Sequence, residues 1–154
     1  YYGKKRESCY ESVKDAVLDM QDRIKAKKWK VVLCPETTGK GSQFGDVDEL
    51  VDLVKETGCG MCVDFAHLKA RYQGNLDLGL VCKKIKKVRL ITAHFSGIEY
   101  GVKGEKRHVK TSRSEARRLL EMLKKYKLDL RIINESPFPL EDALMMKKIW
   151  EGLR

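Results

Sequence analysis

Four apolar runs in this sequence each close at a residue able to bind a metal or move a proton. Glu36 stands at the end of the run in "LCPETTGKGSQFG", and Asp64 ends the run in "MCVDFA" with His67 three residues on. His94 lies near the end of "RLITAHF", and Glu135 follows "LDLRIIN". If the runs are parallel strands, these four positions meet at one rim, because parallel α/β folds bind ligands at the carboxyl ends of their strands. Three carboxylates and an imidazole brought together there repel unless a cation holds them. Oxygen and nitrogen donors in this mixture suit Zn²⁺ or Mn²⁺ better than a soft-metal site. His67 lies just past its strand and His108 in a long following loop, so all three histidines of the chain fall on the same predicted face. One acid at a strand end means little, since such positions are exposed and often charged. Four of four, with every histidine added, point to a metal site. The glycine-rich loop after Glu36 is not a phosphate-binding P-loop, because Lys40 is followed by Gly41 before Ser42.

The elements that must carry these residues alternate β-branched runs with helical patterns, the sign of βαβ units and a parallel sheet. Strands are predicted over residues 29–35, 61–66, 89–95 and 128–134. A first helix carries Cys9, Val13, Val17, Met20 and Ile24 at three- and four-residue spacing, with Ser8 and Glu11 as its capping box. Asp46 with Glu49 and Ser112 with Glu115 repeat the capping pattern before two further helices. In the second of these, Ala116, Leu119, Leu120 and Leu123 form one stripe. A weaker helical pattern covers 76–85. The last helix follows "SPFPL", with Leu140, Ala143, Leu144 and Trp150 as its predicted inward face. "FSGIEYGVKGEKRHVKT" is too long for a minimal strand-to-helix loop, and such loops are where α/β proteins place function. No linker or low-complexity tract divides the chain, so residues 1–154 are predicted to be a single domain.

Composition sets the outer bounds. Hydrophobic residues make up 42% and charged residues 35% of the 154, a globular balance. No apolar run approaches the ~20 residues that span a bilayer, and the first ten residues have no apolar signal core, so a cytoplasmic protein without membrane contact is expected. The formal charge of +10 favours a polyanionic partner, since Lys and Arg gain affinity by releasing counterions from phosphates. Much of the excess lies on predicted helix faces, so charge alone does not separate nucleic-acid binding from surface solvation. Five cysteines do not form a disulfide framework in such a chain. Cys59 and Cys62 form a C-x-x-C with no second pair at zinc-ribbon spacing, which reads as small buried residues.

"PETTGKGSQFG", "CVDFAHL", "HFSGIEYG…GEKRH" and "NESPFPLEDALMMKKI" resemble, in order, the second half of the endonuclease IV family, in its archaeal form. That family comprises zinc-dependent apurinic/apyrimidinic endonucleases on a xylose-isomerase-like TIM barrel. The resemblance implies the last four βα units of such a barrel, a half barrel. It also implies hydrolysis of the phosphodiester 5′ to abasic sites in DNA repair, with two or three Zn²⁺ ions. By position, Glu36 would bridge two metals, while Asp64, His94 and Glu135 complete one of them. His67 and His108 would belong to the third. Glu36 and Glu135 are the residues to which catalysis would be assigned. Family members carry an aspartate two residues before the last histidine, where this chain has Lys106 next to Glu105. Lys40, Lys103, Lys106 and Arg107 would grip the DNA backbone.

The resemblance also implies that two histidines of the first metal lie in the half barrel that is not present. The chain begins at Tyr1, in a stretch similar to the one immediately after one of those histidines, and is expected to be a fragment. Its partners would be abasic DNA and either the N-terminal half of the barrel or a second copy of the chain, because a half barrel has open sheet edges. Two other functions fit parts of the pattern. A xylose-isomerase-like sugar isomerase or epimerase would use the Glu-Asp-His-Glu set around one Mn²⁺ or Zn²⁺ ion. A non-catalytic basic module would bind nucleic acid without chemistry.

Overall fold

The computed structural model describes residue 1 and residues 3–153. Its elements run α1 (Arg6–Ala26), α2 (Val47–Thr57), β1 (Met61–Asp64), α3 (Phe65–Arg71), α4 (Leu78–Ile85), β2 (Ile91–Phe95), β3 (Gly97–Gly101), β4 (Gly104–Val109), α5 (Arg113–Tyr126), β5 (Arg131–Asn134) and α6 (Pro139–Gly152). β1, β2 and β5 form a parallel sheet in that order, with Asp64 opposite His94 and His94 opposite Ile133. β3 and β4 form a separate antiparallel hairpin. The fold is mixed α/β with a small parallel sheet, as the alternating pattern predicts.

Period-two alternation sorts the sheet into two faces. Met61, Val63, Ala93, Phe95 and Ile132 turn to the helices, where they pack with Leu50, Leu53, Leu68, Ile85, Leu119, Leu123 and Ile149 in one apolar core. Cys62, Asp64, Thr92, His94 and Ile133 share the opposite face. The helices contact one another in chain order, α1 on α2, α2 on α4, α4 on α5 and α5 on α6. Asp46 and Glu49 close the predicted capping box of α2, and Gly58 ends that helix at φ +71°.

Several sequence expectations need correction. Residues 29–35 do not form a strand; the segment is extended, and its end makes a single parallel bridge, Glu36 to Cys62. Backbone bonds from Gly60 to Leu33 and from Cys62 to Pro35 still hold it beside β1. Trp29, Val31 and Val32 are exposed, so little apolar burial fixes the first half of this edge. Helix α1 starts at Arg6 with Lys5 at its N-cap, so Ser8 lies inside the first turn and caps nothing. On its predicted inward face only Val17 is fully buried, and Met20 is exposed. Ser112 does precede α5 but makes no side-chain cap, while Glu115 pairs instead with Lys69 at 2.5 Å. The stripe of Ala116, Leu119, Leu120 and Leu123 is buried as predicted. Helix α6 buries Asp142, Met146 and Ile149, whereas Leu140, Ala143, Leu144 and Trp150, its predicted inward face, are all exposed. Its orientation is set by a polar anchor: Asp142 accepts from the Thr111 amide at 2.7 Å.

Candidate metal centre

Glu36, Asp64, His94 and Glu135 present ligand atoms that all lie within 4.8 Å of one another. Each is placed by backbone parity. Glu36 bridges Cys62, Asp64 and His94 are register partners, and Glu135 follows Ile133 by two on the face opposite the helices. The Glu135 amide donates to the Phe95 carbonyl at 3.3 Å, which continues the ladder to the strand end. His94 Nδ1 lies 3.3 Å from Glu36 Oε1 and 3.2 Å from Glu135 Oε1.

Asp64 is the deepest member, with its side chain fully buried. One oxygen caps α3, accepting from the His67 amide at 2.8 Å. The other, Oδ2, is buried without a hydrogen-bond partner. A carboxylate oxygen in that position is costly unless protonated or neutralised by a cation. Burial pushes the Asp64 carboxyl above its ordinary value, and the charges of Glu36 and Glu135 add to this against the pull of His67. The hydrogen bond with His67 holds Glu36 below its ordinary value, against burial and with help from the His94 charge. That oxygen has the His67 Nδ1 at 3.4 Å but no hydrogen bond, and a buried carboxylate placed so, beside two further carboxylates and His94, fits a divalent cation.

His67 and His108 stand beside this cluster, their rings 5.3 Å apart in a T-shaped arrangement. With Asp64 they form another group of possible ligands. Burial disfavours a charged His67, but Glu36, Asp64, the Thr37 carbonyl and Glu105 outweigh it and push its pKa up to about 9. Its Nδ1 points to the Thr37 carbonyl at 3.0 Å and its Nε2 to Glu105 at 3.3 Å. His108 sits in β4 of the hairpin, which is what the long segment after His94 becomes.

The four predicted DNA-binding cations are divided. Lys40 lies in the glycine-rich loop, against Gly104 at the base of the hairpin turn, and the Glu105 amide donates to the Gly39 carbonyl at 3.2 Å. Lys103 is exposed in that turn. Lys106 and Arg107 turn to Glu99, at 3.9 and 2.7 Å, and Arg107 and Glu99 form a cross-strand pair on the hairpin face opposite His108. Of Cys59 and Cys62, the first joins the apolar core, while Cys62 is buried and can group with Glu36 and His94.

Sequence reasoning missed the residues that hold these ligands in place. Arg71, with its side chain 3% exposed, reaches under the glycine-rich loop to the carbonyls of Lys40 (2.7 Å) and Gln43 (3.1 Å), the Thr38 hydroxyl (3.2 Å) and Asp46 (3.2 Å). Thr37 exchanges hydrogen bonds with the Asp64 backbone, accepting from its amide at 2.8 Å. Asn134 donates to Thr111 and accepts from the Ser136 amide, fixing the backbone on both sides of Glu135. Arg71 is the last residue of α3, and the only sequence signal for it is a charge one helical turn beyond the buried Leu68. An apolar cavity of about 280 Å³ between α5, β5 and α6 contains none of the cluster residues.

The chain is 34% identical over 165 aligned residues to an uncharacterized protein of Methanocaldococcus jannaschii. That match covers 99% of this chain and 60% of the relative, so the chain spans 60% of the relative's length. No family model matches the chain. Among the described residues, no helix is long and apolar enough to cross a membrane.

Proposed function

We propose that the chain carries the metal-binding strand ends of a zinc-dependent apurinic/apyrimidinic endonuclease of the endonuclease IV type, acting on the phosphodiester 5′ to abasic sites in DNA. The single observation behind this is the convergence of Glu36, Asp64, His94 and Glu135 within 4.8 Å, with a buried Asp64 oxygen that makes no hydrogen bond. The order of the edge segment, β1, β2 and β5, with helices stacked in sequence along one side, supports four successive βα units of a barrel. The charge of +10, and Lys40 and Lys103 at the glycine loop and hairpin turn, support an anionic polymer over a small sugar as substrate.

Glu36, half-exposed at the centre of the cluster, can reach ions on either side of it. Asp64 supplies a fixed buried charge that cannot rotate, because its other oxygen caps α3. His94 and Glu135 close the cluster from the neighbouring strands. Bound there, divalent ions supply the Lewis acidity that activates water and offsets charge on the phosphate. Lys40 and Lys103 would set the register of the backbone phosphates rather than read sequence. Oxygen donors with imidazole suit zinc, and manganese shares the preference.

The test is a duplex carrying one abasic site, incubated with the M. jannaschii relative and with this chain, with and without EDTA. Nicking 5′ to the lesion by the relative, lost with EDTA and restored by zinc, is the expected result. The isolated chain should bind zinc at the cluster and turn over little. Absence of chelator-sensitive nicking by both, or chelator-sensitive epimerisation of a free ketose, overturns the assignment.

A further inference from the structure

The excess charge of the chain is gathered at one end of the molecule. "IKAKKWKVV" (24–32), "CKKIKKVRL" (82–90) and "LKKYKLDLR" (123–131) carry four, five and four cations and a single acid, Asp129. Thirteen cations less that acid leave +12, against +10 for the whole chain, so all the other residues together come to −2. Each stretch is the corner from a helix towards the sheet: α1 ends at Ala26, α4 at Ile85 and α5 at Tyr126, ahead of the edge segment, β2 and β5. The strands run parallel, so the three corners share the rim opposite the one that holds Glu36, His94 and Glu135. The two rims are separated by roughly 15–20 Å along the strands.

Three observations set this rim apart from an ordinary solvated surface. Surface ion-pair networks interleave both signs. Here, among the described residues, only Lys84 of the thirteen cations meets a carboxylate, Asp48 at 2.7 Å. Helix dipoles favour cations in a last turn. Yet α2 has Lys55 alone there and α6 has none, while most of the thirteen lie beyond the last residue of their helix. Lys28 and Lys127 also both take φ +54°, a left-handed conformation that favours glycine after a helix. Helix α2 does end in glycine, Gly58 at φ +71°. Two lysines therefore stand where conformation alone would select glycine. Between Lys28 and Lys30, Trp29 is 61% exposed.

We propose that this rim is a polyanion surface separate from the strand-end cluster, one that holds the phosphate backbone of a nucleic-acid strand while Trp29 stacks on a base. Unpaired lysines gain affinity by releasing counterions from phosphates. An exposed indole flanked by cations is the kind of platform on which single strands stack. Helices α1, α2, α4 and α5 touch in that order. Neighbouring helices lie about 8–10 Å apart, so the cationic corners span roughly 25–30 Å. At about 3.4 Å per nucleotide, that is the reach of about eight nucleotides. The cations form a row over successive helix ends, which suits a linear polyanion better than a membrane. The proposal stands apart from the metal centre and from the reaction performed there.

Fluorescence anisotropy of a short labelled single strand without any lesion, mixed with the folded chain in EDTA, tests it. The wild-type chain should bind, with an affinity that falls steeply between about 50 and 200 mM salt. Lys27→Gln/Lys30→Gln and Lys86→Gln/Lys87→Gln should each weaken binding by about 10–100-fold and lower the log–log salt slope by about 2. Lys40→Gln/Lys103→Gln, at the metal end, should change it by less than about 2-fold. Trp29→Ala should weaken it by about 5-fold or more. The replaced side chains at the rim are exposed, and circular dichroism checks that each variant is folded. No binding by the wild-type chain overturns the proposal, as does binding lost only in Lys40→Gln/Lys103→Gln. Phosphatidylserine vesicles that bind the chain when the oligonucleotide does not would assign the rim to a membrane and overturn it too. Because lesion and metal are both left out, none of these outcomes depends on whether the strand-end cluster nicks DNA.

Discussion

Arg71→Met removes a guanidinium that no sequence pattern marks as important, yet its cost can be worked from its surroundings. The side chain is 3% exposed, and its partners are Asp46, the Thr38 hydroxyl and the carbonyls of Lys40 and Gln43. Methionine fills much of the space of the stem but leaves Asp46 without its cation and the loop carbonyls without a donor. Breaking a buried ion pair by deleting one partner costs about 3–5 kcal/mol. Asp46 is 18% exposed and keeps the Asp48 amide and the Tyr72 hydroxyl, which places the loss at about 3 kcal/mol by the lower end of that range. For a chain of this size that is a drop in Tm of roughly 6–12 °C. Thermal and urea unfolding followed by circular dichroism measure it, with Asp46→Asn and the double variant completing a cycle. Burial opposes ionisation of Asp46, but its hydrogen bonds and Arg71 prevail and hold the carboxyl below its ordinary value. The contribution is therefore present above about pH 4 and lost as pH falls through the lowered value. A loss under about 1 kcal/mol, or fully additive single and double variants, would refute the view that Arg71 pins the loop.

Two other outcomes follow from the same geometry. In the metal-free protein, His67 should titrate near 9 by NMR, and Glu36→Gln should lower that midpoint. Because the folded value is raised, its stabilisation is complete below about pH 6.5 and disappears as pH rises through about 9; a midpoint near 6.5 would sink this account. Gly104 sits at φ +100° with the Gly39 carbonyl where a Cβ would go, so Gly104→Ala should destabilise the chain by more than about 1 kcal/mol in urea unfolding and detach the hairpin from the glycine loop. Unchanged stability in that variant would mean that the contact is dispensable.

Much of the site was readable in the sequence because it depends on period and position along parallel strands. The ends of the apolar runs at Glu36, Asp64, His94 and Glu135 needed only the assumption of one sheet to bring them together. The structure groups them even though 29–35 lacks ladder pairing, since a single bridge at Glu36 suffices to set its face. The inward face of α6 was misread because its apolar residues outnumber its buried ones. Asp142, which looks like a surface acid, turns inward to receive the Thr111 amide. The Ser8 cap failed for a similar reason: the motif was present, but the helix had begun two residues earlier.

The sequence by itself determined that strands alternate with helices and that acids and histidines stand where the strands end. It also determined that the chain is strongly basic. Only the tertiary structure decided that Asp64 keeps a buried oxygen that makes no hydrogen bond, that Arg71 runs beneath the glycine loop, and that Glu105 rather than Lys106 faces His67. The reason is physical. Periodicity is written in neighbouring residues, whereas a bulge or a buried guanidinium takes its place from partners 25–33 positions away or across a hairpin, where no local pattern records it.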